Sequence, residues 1–389
     1  KTAYEIHERL VGLEMCIRDR NYPYLEYLEK VFPQSFVEIK KKNLISENLF
    51  SPFVINLSTK ILDEVQSFVS EVYKIKDSSQ YQDSLPKEGV LENAPDTPSV
   101  LSCFDFHYTE EQGLKLIEIN TNASLYLPIV IQGCAQCSQC ADPTFDILLN
   151  TFIDSFNLKE GDGISILDEN PEQEGLYFEF LIFKEWLEHS GYKANIIGLN
   201  DYEKNHYKNV YNRYTDFYFN EPKSELLKKD YYSGRVNFSP NPKEYFLMAD
   251  KRRLMNLRSF LEKTNPSLAK IIPLSKLFKE FESKEDLWAQ RKKYFLKPSQ
   301  SFGSKAVYSG KSISRKAFEN IYSPDFLAQE LAPPGKKTFV HQDTEVEMKF
   351  DLRFFTFNGK VQNYGARIYQ GQTTNMRTPL GGITPIHFS

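Results

Sequence analysis

Two short runs, FDFHY (residues 104–108) and LKLIEIN (residues 114–120), flank the turn TEEQG and alternate apolar with polar side chains, the pattern of an antiparallel hairpin. Alternation sends Phe104, Phe106 and Tyr108 to one face with Ile117 and Ile119, and Asp105, Glu118 and Asn120 to the other. Counted outward from the turn, the simplest register sets Asp105 opposite or nearly opposite Glu118. Facing carboxylates destabilise a strand pair unless something neutralises them, and convergent hard oxygens are what Mg²⁺ binds. A divalent cation on Asp105, Glu118 and Asn120 is the economical expectation, although a hairpin with one solvated face shows the same alternation.

At 389 residues the chain exceeds one compact core, so two or three subdomains are expected. A net charge of −4 argues against a dedicated nucleic-acid surface, which would carry a basic excess. No apolar run reaches the length of a bilayer span and no signal-peptide plan opens the chain, so a cytoplasmic location is expected. Residues 14–20 (EMCIRDR) resemble a translated sequencing-library adaptor, so residues 1–20 are set apart as a non-native leader, and His7 and Cys16 receive no role. Cys134, Cys137 and Cys140 in GCAQCSQC are spaced like part of a metal or iron–sulfur ligand run that Cys103 or His107 could complete. A small-residue turn with reduced thiols is the reading preferred for them, with the metal site a side hypothesis.

Residues 21–95 read as helical, with Leu57, Ile61, Val65, Phe68 and Val72 at helical spacing. Strand (163–169), helix (175–191) and strand (194–199), joined by a further strand over 210–219, predict a parallel α/β unit. Ligands of such sheets sit at the carboxyl ends of strands, which singles out Asp168, Glu169, Gln173, Arg213 and Asp216, or else makes them loop polars and helix caps. SPNP (239–242) reads as a linker. MADKRRLMNLRSFLEK follows as a basic amphipathic helix, and a block rich in β character completes the chain.

In that block FLKPSQSFGSKAVYSG sets Lys297 at the end of a strand and Ser299, Gly303 and Lys305 in a flexible loop, which suits a polyphosphate but also an ordinary hairpin turn. FLAQELAP ends in Gln329, Glu330 and Leu331, whose backbone could meet the edge of an adenine. DLRFF puts Arg353 on the same strand face as Asp351, suited to phosphate or to a plain surface pair.

Taken in order, the acidic hairpin, α/β insert, DKRRL, KPS, AQEL, DLR and RTPLGG segments resemble the ATP-grasp ligases. Because LIEIN comes before KPS, the closer resemblance is to circularly permuted members, glutathionylspermidine synthetase and the eukaryotic-type glutathione synthetases. The resemblance implies a mixed α+β and α/β chain: a permuted ATP-grasp fold with an inserted parallel α/β substrate subdomain and a helical N-terminal region. Its expected segments are 21–95 (helical), 96–160 (first ATP-grasp segment), 161–240 (substrate insert) and 241–389 (nucleotide segment). It further implies ATP and Mg as cofactors, with Asp105, Glu118 and Asn120 as metal ligands. Lys251, Lys297, Ser299, Gly303, Lys305, Gln329, Glu330 and Leu331 would hold the nucleotide. Arg353 and Arg377 would be catalytic, and Glu169, Gln173, Arg213, Gly381 and Gly382 would hold substrate. The implied activity is ATP-dependent amide formation between a small-molecule carboxylate and an amine through an acyl phosphate. A homodimer is left open, and neither nucleic acid nor membrane is an expected partner. Departures concern the substrate: Cys103 stands where the glutathionylspermidine enzymes have arginine, SFGSK is poor in glycine, and no amidase domain precedes the ligase region. The alternatives are a catalytically silent ATP-binding module and a Cys-ligated metal or redox protein.

Overall fold

The computed structural model describes residues 22–86, 89–92, 94–136, 143–299, 307–371 and 374–389. The N-terminal region is helical as its periodicity dictates: α1 (Tyr22–Val31), α2 (Pro33–Lys42), α3 (Thr59–Asp77) and α4 (Ser79–Ser84). Within it lies a short strand, β1 (Ile55–Leu57), that helical spacing concealed. Only three residues long, β1 exists because it pairs in parallel with the end of the chain. Ser78 both ends α3 and starts α4, its hydroxyl donating to Ile75 O at 2.7 Å and accepting from Tyr81 N at 3.3 Å. Ser78→Ala is expected to lower unfolding free energy by about 1 kcal/mol in urea titrations, the usual worth of an N-cap.

The hairpin of β2 (Ser102–Thr109) and β3 (Gly113–Asn120) forms next, but with a bulge. From the turn, Thr109 to Phe106 pair with Gly113 to Leu116; the register then skips Ile117 and pairs Asp105 with Glu118. One extra residue re-aims its neighbours. Leu116 and Ile119 join Phe104 and Phe106 in the core, under Phe68 of α3, whereas Ile117 turns to the opposite side. The same-face placement expected for Ile117 is thus corrected.

Helices α5 (Tyr126–Gln136) and α6 (Pro143–Phe156) lead into a parallel sheet of β4 (Gly163–Asp168), β5 (Lys193–Gly198), β6 (Asn209–Asn212) and β7 (Asn237–Ser239), ordered β5-β4-β6-β7, with α7 (Tyr177–His189) crossing between β4 and β5. The strand expected over 210–219 stops at Asn212: Arg213 donates its N–H to Leu167 O, and Asp216 accepts from the backbone of Asn220 and Glu221 and from Ser224 Oγ, closing a turn. SPNP is not an exposed linker. Ser239 and Asn241 are buried and tie this segment to the carbonyls of Pro98 and Thr97.

A basic helix, α8 (Arg253–Thr264), precedes a four-stranded sheet of β8 (Ser275–Leu277), β9 (Tyr294–Pro298), β10 (Tyr308–Ser309) and β11 (Phe326–Glu330), ordered β10-β9-β11-β8. The last segments, β12 (Gly335–His341), β13 (Thr344–Phe357), β14 (Lys360–Tyr369) and β15 (Gly382–Thr384), return to the acidic hairpin and complete a six-stranded sheet, β15-β14-β13-β2-β3, with β12 on β13. Strand β16 (Ile386–Phe388) is the partner of β1. No helix among the described residues is long and apolar enough to cross a membrane.

Candidate active site between two sheets

Strands β2 and β13 are neighbours, so residues far apart in sequence meet on one face. Arg353 lies directly opposite Asp105, and Asp351 opposite Arg367. Arg353 grips the Asp105 carboxylate with both arms, Nε to Oδ1 and Nη2 to Oδ2, each at 2.9 Å, and Arg367 Nη2 adds a third contact at 3.1 Å. Burial alone would raise the Asp105 pKa; Arg353 and then Arg367 outweigh it and hold the carboxyl down at about 2.

Asn120 bridges the two acids, its Nδ2 donating to Asp105 Oδ2 at 3.3 Å and Glu118 Oε1 at 3.4 Å. Asp105, Glu118 and Asn120 therefore converge, and the guanidinium groups of Arg353 and Arg367 contribute to neutralising Asp105. Among the described residues Glu118 accepts a side-chain hydrogen bond only from Asn120. The donors are hard oxygens of the kind Mg²⁺ takes, with Glu118 the carboxylate best placed to give its charge to a cation. Among the described residues no group of three His, Cys, Asp or Glu side chains could hold a metal.

This acidic face looks across a cavity of about 240 Å³ toward the four-stranded sheet. Asp105, His107, Ile117 and Glu118 line it from the hairpin, Phe295 and Lys297 from β9, Gln329 and Glu330 from β11, and Lys251 from the turn before α8. Lys297 Nζ donates to Gln329 Oε1 at 2.6 Å and to Ile117 O at 3.5 Å, so the bulge residue meets the lysine directly. Burial pushes the Lys297 pKa down to about 8; Glu118 opposes the shift and Lys251 adds to it. Gln329 Nε2 is buried with no hydrogen-bond partner among the described residues, a donor that fits an acceptor held in the cavity.

Two expectations about this cavity need correction. Backbone N–H groups of Glu330 and Leu331 are not offered to a ligand: β11 is an inner strand, and they donate to Leu274 O and Lys293 O. Arg353 is not a free arginine, since its guanidinium is taken by Asp105 and by Ser124 O. The arginine lining the cavity is Arg367, held at 2.7 Å by Asp351, whose other oxygen accepts from Thr374. Sequence pattern does not point to Arg367 or Thr374, and it gives Asp351 only as a neighbour of Arg353 and His107 only as a candidate fourth ligand of the cysteine run.

Other expected residues stand apart. Arg377 is exposed and its side chain does not line the cavity. Gly381 and Gly382 are buried in backbone packing: Gly382 has φ +142° and a Cβ there would lie 2.5 Å from the Phe50 carbonyl carbon, so close approach accounts for it. Glu169 is half exposed and pairs with Lys223, and Gln173 is exposed in a short turn. Ser299 hydrogen-bonds through its backbone to Lys251 and Asp325 and faces a different cavity. Gly303, Lys305, Cys137, Cys140 and the leader with His7 and Cys16 lie outside the described residues. Cys103 and Cys134 are buried, and the Cys103 thiol donates to Asp105 Oδ1 at 3.4 Å.

Arg213 is nearer. It is buried against Phe180 and Tyr211 and donates to Ala123 O, while Arg353 donates to the adjacent Ser124 O. Loop 121–125 thus joins the end of the parallel sheet to the acidic hairpin. Beside it Asp168, at the end of β4, is raised by burial to about 6.

This arrangement can be compared with solved structures. A glutathione synthetase-like effector (GSS30) from Globodera pallida superimposes with a TM-score of 0.53 at 12% identity, over 87% of this chain and 90% of that one. The fold is glutathione synthetase-like. A candidate gamma-glutamylcysteine synthetase from Methylobacillus flagellatus KT matches over 79% of this chain and 82% of its own at 8% identity, with a TM-score of 0.47, too low to carry an argument. No protein-family model matches the chain, and no curated protein matches it.

Proposed function

We infer that the chain is an ATP-dependent carboxylate–amine ligase of the ATP-grasp type, circularly permuted because the acidic hairpin precedes the lysine-bearing strands. The observation that carries this reading is the facing of two charge sets across one cavity: Asp105 and Glu118 on the six-stranded sheet, Lys251 and Lys297 opposite. A triphosphate needs cationic side chains along its length, and Lys251, Lys297 and Arg367 supply them. Bound magnesium would be held by Glu118, Asn120 and Asp105 and would neutralise phosphate oxygens. Phe295, Val307, Ala332 and Pro334 provide apolar walls for a base, with Gln329 as its polar partner.

The reaction proceeds in two displacements. A substrate carboxylate oxygen attacks the γ-phosphorus as the bond to ADP breaks, and the amine nitrogen then attacks the acyl carbon, expelling phosphate and losing a proton. Arg213, linked to the cavity through loop 121–125, orients the carboxylate substrate in this reading. A small amino-acid or peptide-like acid suits the site.

A silent ATP-binding module is the second reading, favoured by the arginines that already occupy both oxygens of Asp105. One experiment separates them. The protein is incubated with ATP, Mg²⁺ and a panel of amino acids, short peptides and polyamines, and phosphate release and product masses are followed. The ligase reading expects release only when acid and amine are both present; a raised Tm with ATP but no ADP from any mixture supports the silent module. No Tm response to ATP overturns both.

A further inference from the structure

Arg253, the second arginine of DKRRL, is 1% exposed and among the largest fully buried side chains of the described residues, yet its Nε and Nη1 are buried without a hydrogen-bond partner among those residues. A guanidinium taken out of water costs several kcal/mol unless an anion or acceptors replace the lost hydration. What surrounds Arg253 does not do so. The Phe246 ring lies 4.7 Å from its guanidinium carbon, which attracts the charge but satisfies no N–H. Asp250 is committed to Arg252 and to the Tyr218 hydroxyl, and the Tyr81 hydroxyl donates to Leu247 O.

Arg253 borders a cavity of about 300 Å³ that is separate from the cavity between the sheets. Arg252, Lys279, Asn256 and Ser299 also line it, with the carboxylates of Glu280 and Asp325 at exposed positions. Glu280 is held by the backbone N–H of Leu277, and neither acid bonds Arg253. At about 30 Å³ per water, the space takes an oxyanion with a small organic group attached. Asn256 lies one helical turn beyond Arg253 and faces the same space.

We propose that this cavity is a second ligand site, in which Arg253 binds the oxyanion group, phosphate or carboxylate, of a small molecule. Lys251, which lines the cavity between the sheets, donates its N–H to Ser299 O at the edge of this one. The proposal does not depend on the ligase reading.

Thermal unfolding in inorganic phosphate, in acetate and in chloride at matched ionic strength tests it, on the full chain and on Arg253→Met, Asn256→Asp and Lys297→Met. Expected is a saturable rise in Tm with phosphate or acetate over chloride, the more effective of the two naming the group. Lys297→Met should retain it. Arg253→Met should weaken apparent affinity about tenfold or more, the scale of a lost charge-assisted hydrogen bond. Asn256→Asp, which supplies a carboxylate from within, should raise Tm in chloride and abolish the response; it decides the matter if Arg253→Met does not fold. No saturable response to either anion overturns the proposal. So does a response that survives Arg253→Met and Asn256→Asp but disappears in Lys297→Met, which would assign the anion to the cavity between the sheets.

Discussion

Arg353→Met is expected to destabilise the protein by about 3–5 kcal/mol, the range for breaking a buried ion pair by removing one partner. The loss arises from what remains: Asp105 is 1% exposed and would keep its charge with only Arg367, Asn120 and the Cys103 thiol around it. Arg367 contacts a single oxygen of Asp105 and is shared with Asp351, so it cannot replace the two-armed grip of Arg353. Urea unfolding of the two single variants and of Arg353→Met with Asp105→Leu measures this. The double variant should recover much of the stability, because it leaves no unpaired charge between β2 and β13. If Arg353→Met alone costs less than about 1 kcal/mol, as an exposed pair would, the arginine is not the counter-charge of Asp105 in solution.

That pair also shows where sequence reading ends. The hairpin was legible because its alternation and its turn are local, and so was the meeting of Asp105 with Glu118. Its neutralisation was not, since Arg353 stands 248 positions away and nothing near Asp105 announces it. Arg367 was hidden by a single residue. Counting back from the Asn358–Gly359 turn sets Asp351 opposite Ala366, but β14 skips Gln362, and the shifted register brings Arg367 to Asp351 instead. The parallel α/β unit was legible in its βαβ portion, where a continuous apolar run is bounded by Gly191. It failed at residues 213–219, where aromatic residues with high strand propensity pack as a turn around Asp216. Gly381 and Gly382, expected to hold substrate, illustrate a different limit: a Cβ on Gly382 would run into the backbone of residues 50 and 51, and one on Gly381 into the backbone of residues 376 and 378.

Lys297→Met should lower ATP affinity about a hundredfold, the upper end for hydrogen bonds to a charged partner. The pH dependence is the sharper test, because two trends run in opposite directions. Free Lys297, with its pKa near 8, is mostly charged at pH 7 and mostly neutral at pH 9, so ATP affinity should fall about tenfold over that interval. Folding stability should instead rise from pH 8 toward 10, where the unfolded chain keeps a proton that the buried lysine has released. Other charged groups facing the same cavity are Lys251, Arg367, Asp105, Glu118, Asp351, Glu330 and His107. Burial lowers the His107 pKa, which moves its titration away from the window used. Lys297→Arg keeps the charge at every pH tested, so its ATP affinity should be flat between pH 7 and 9 whatever its absolute value. Calorimetric titration of ATP across this range provides the measurement. Equal slopes in the wild type and in Lys297→Arg would mean that Lys297 does not meet the phosphates.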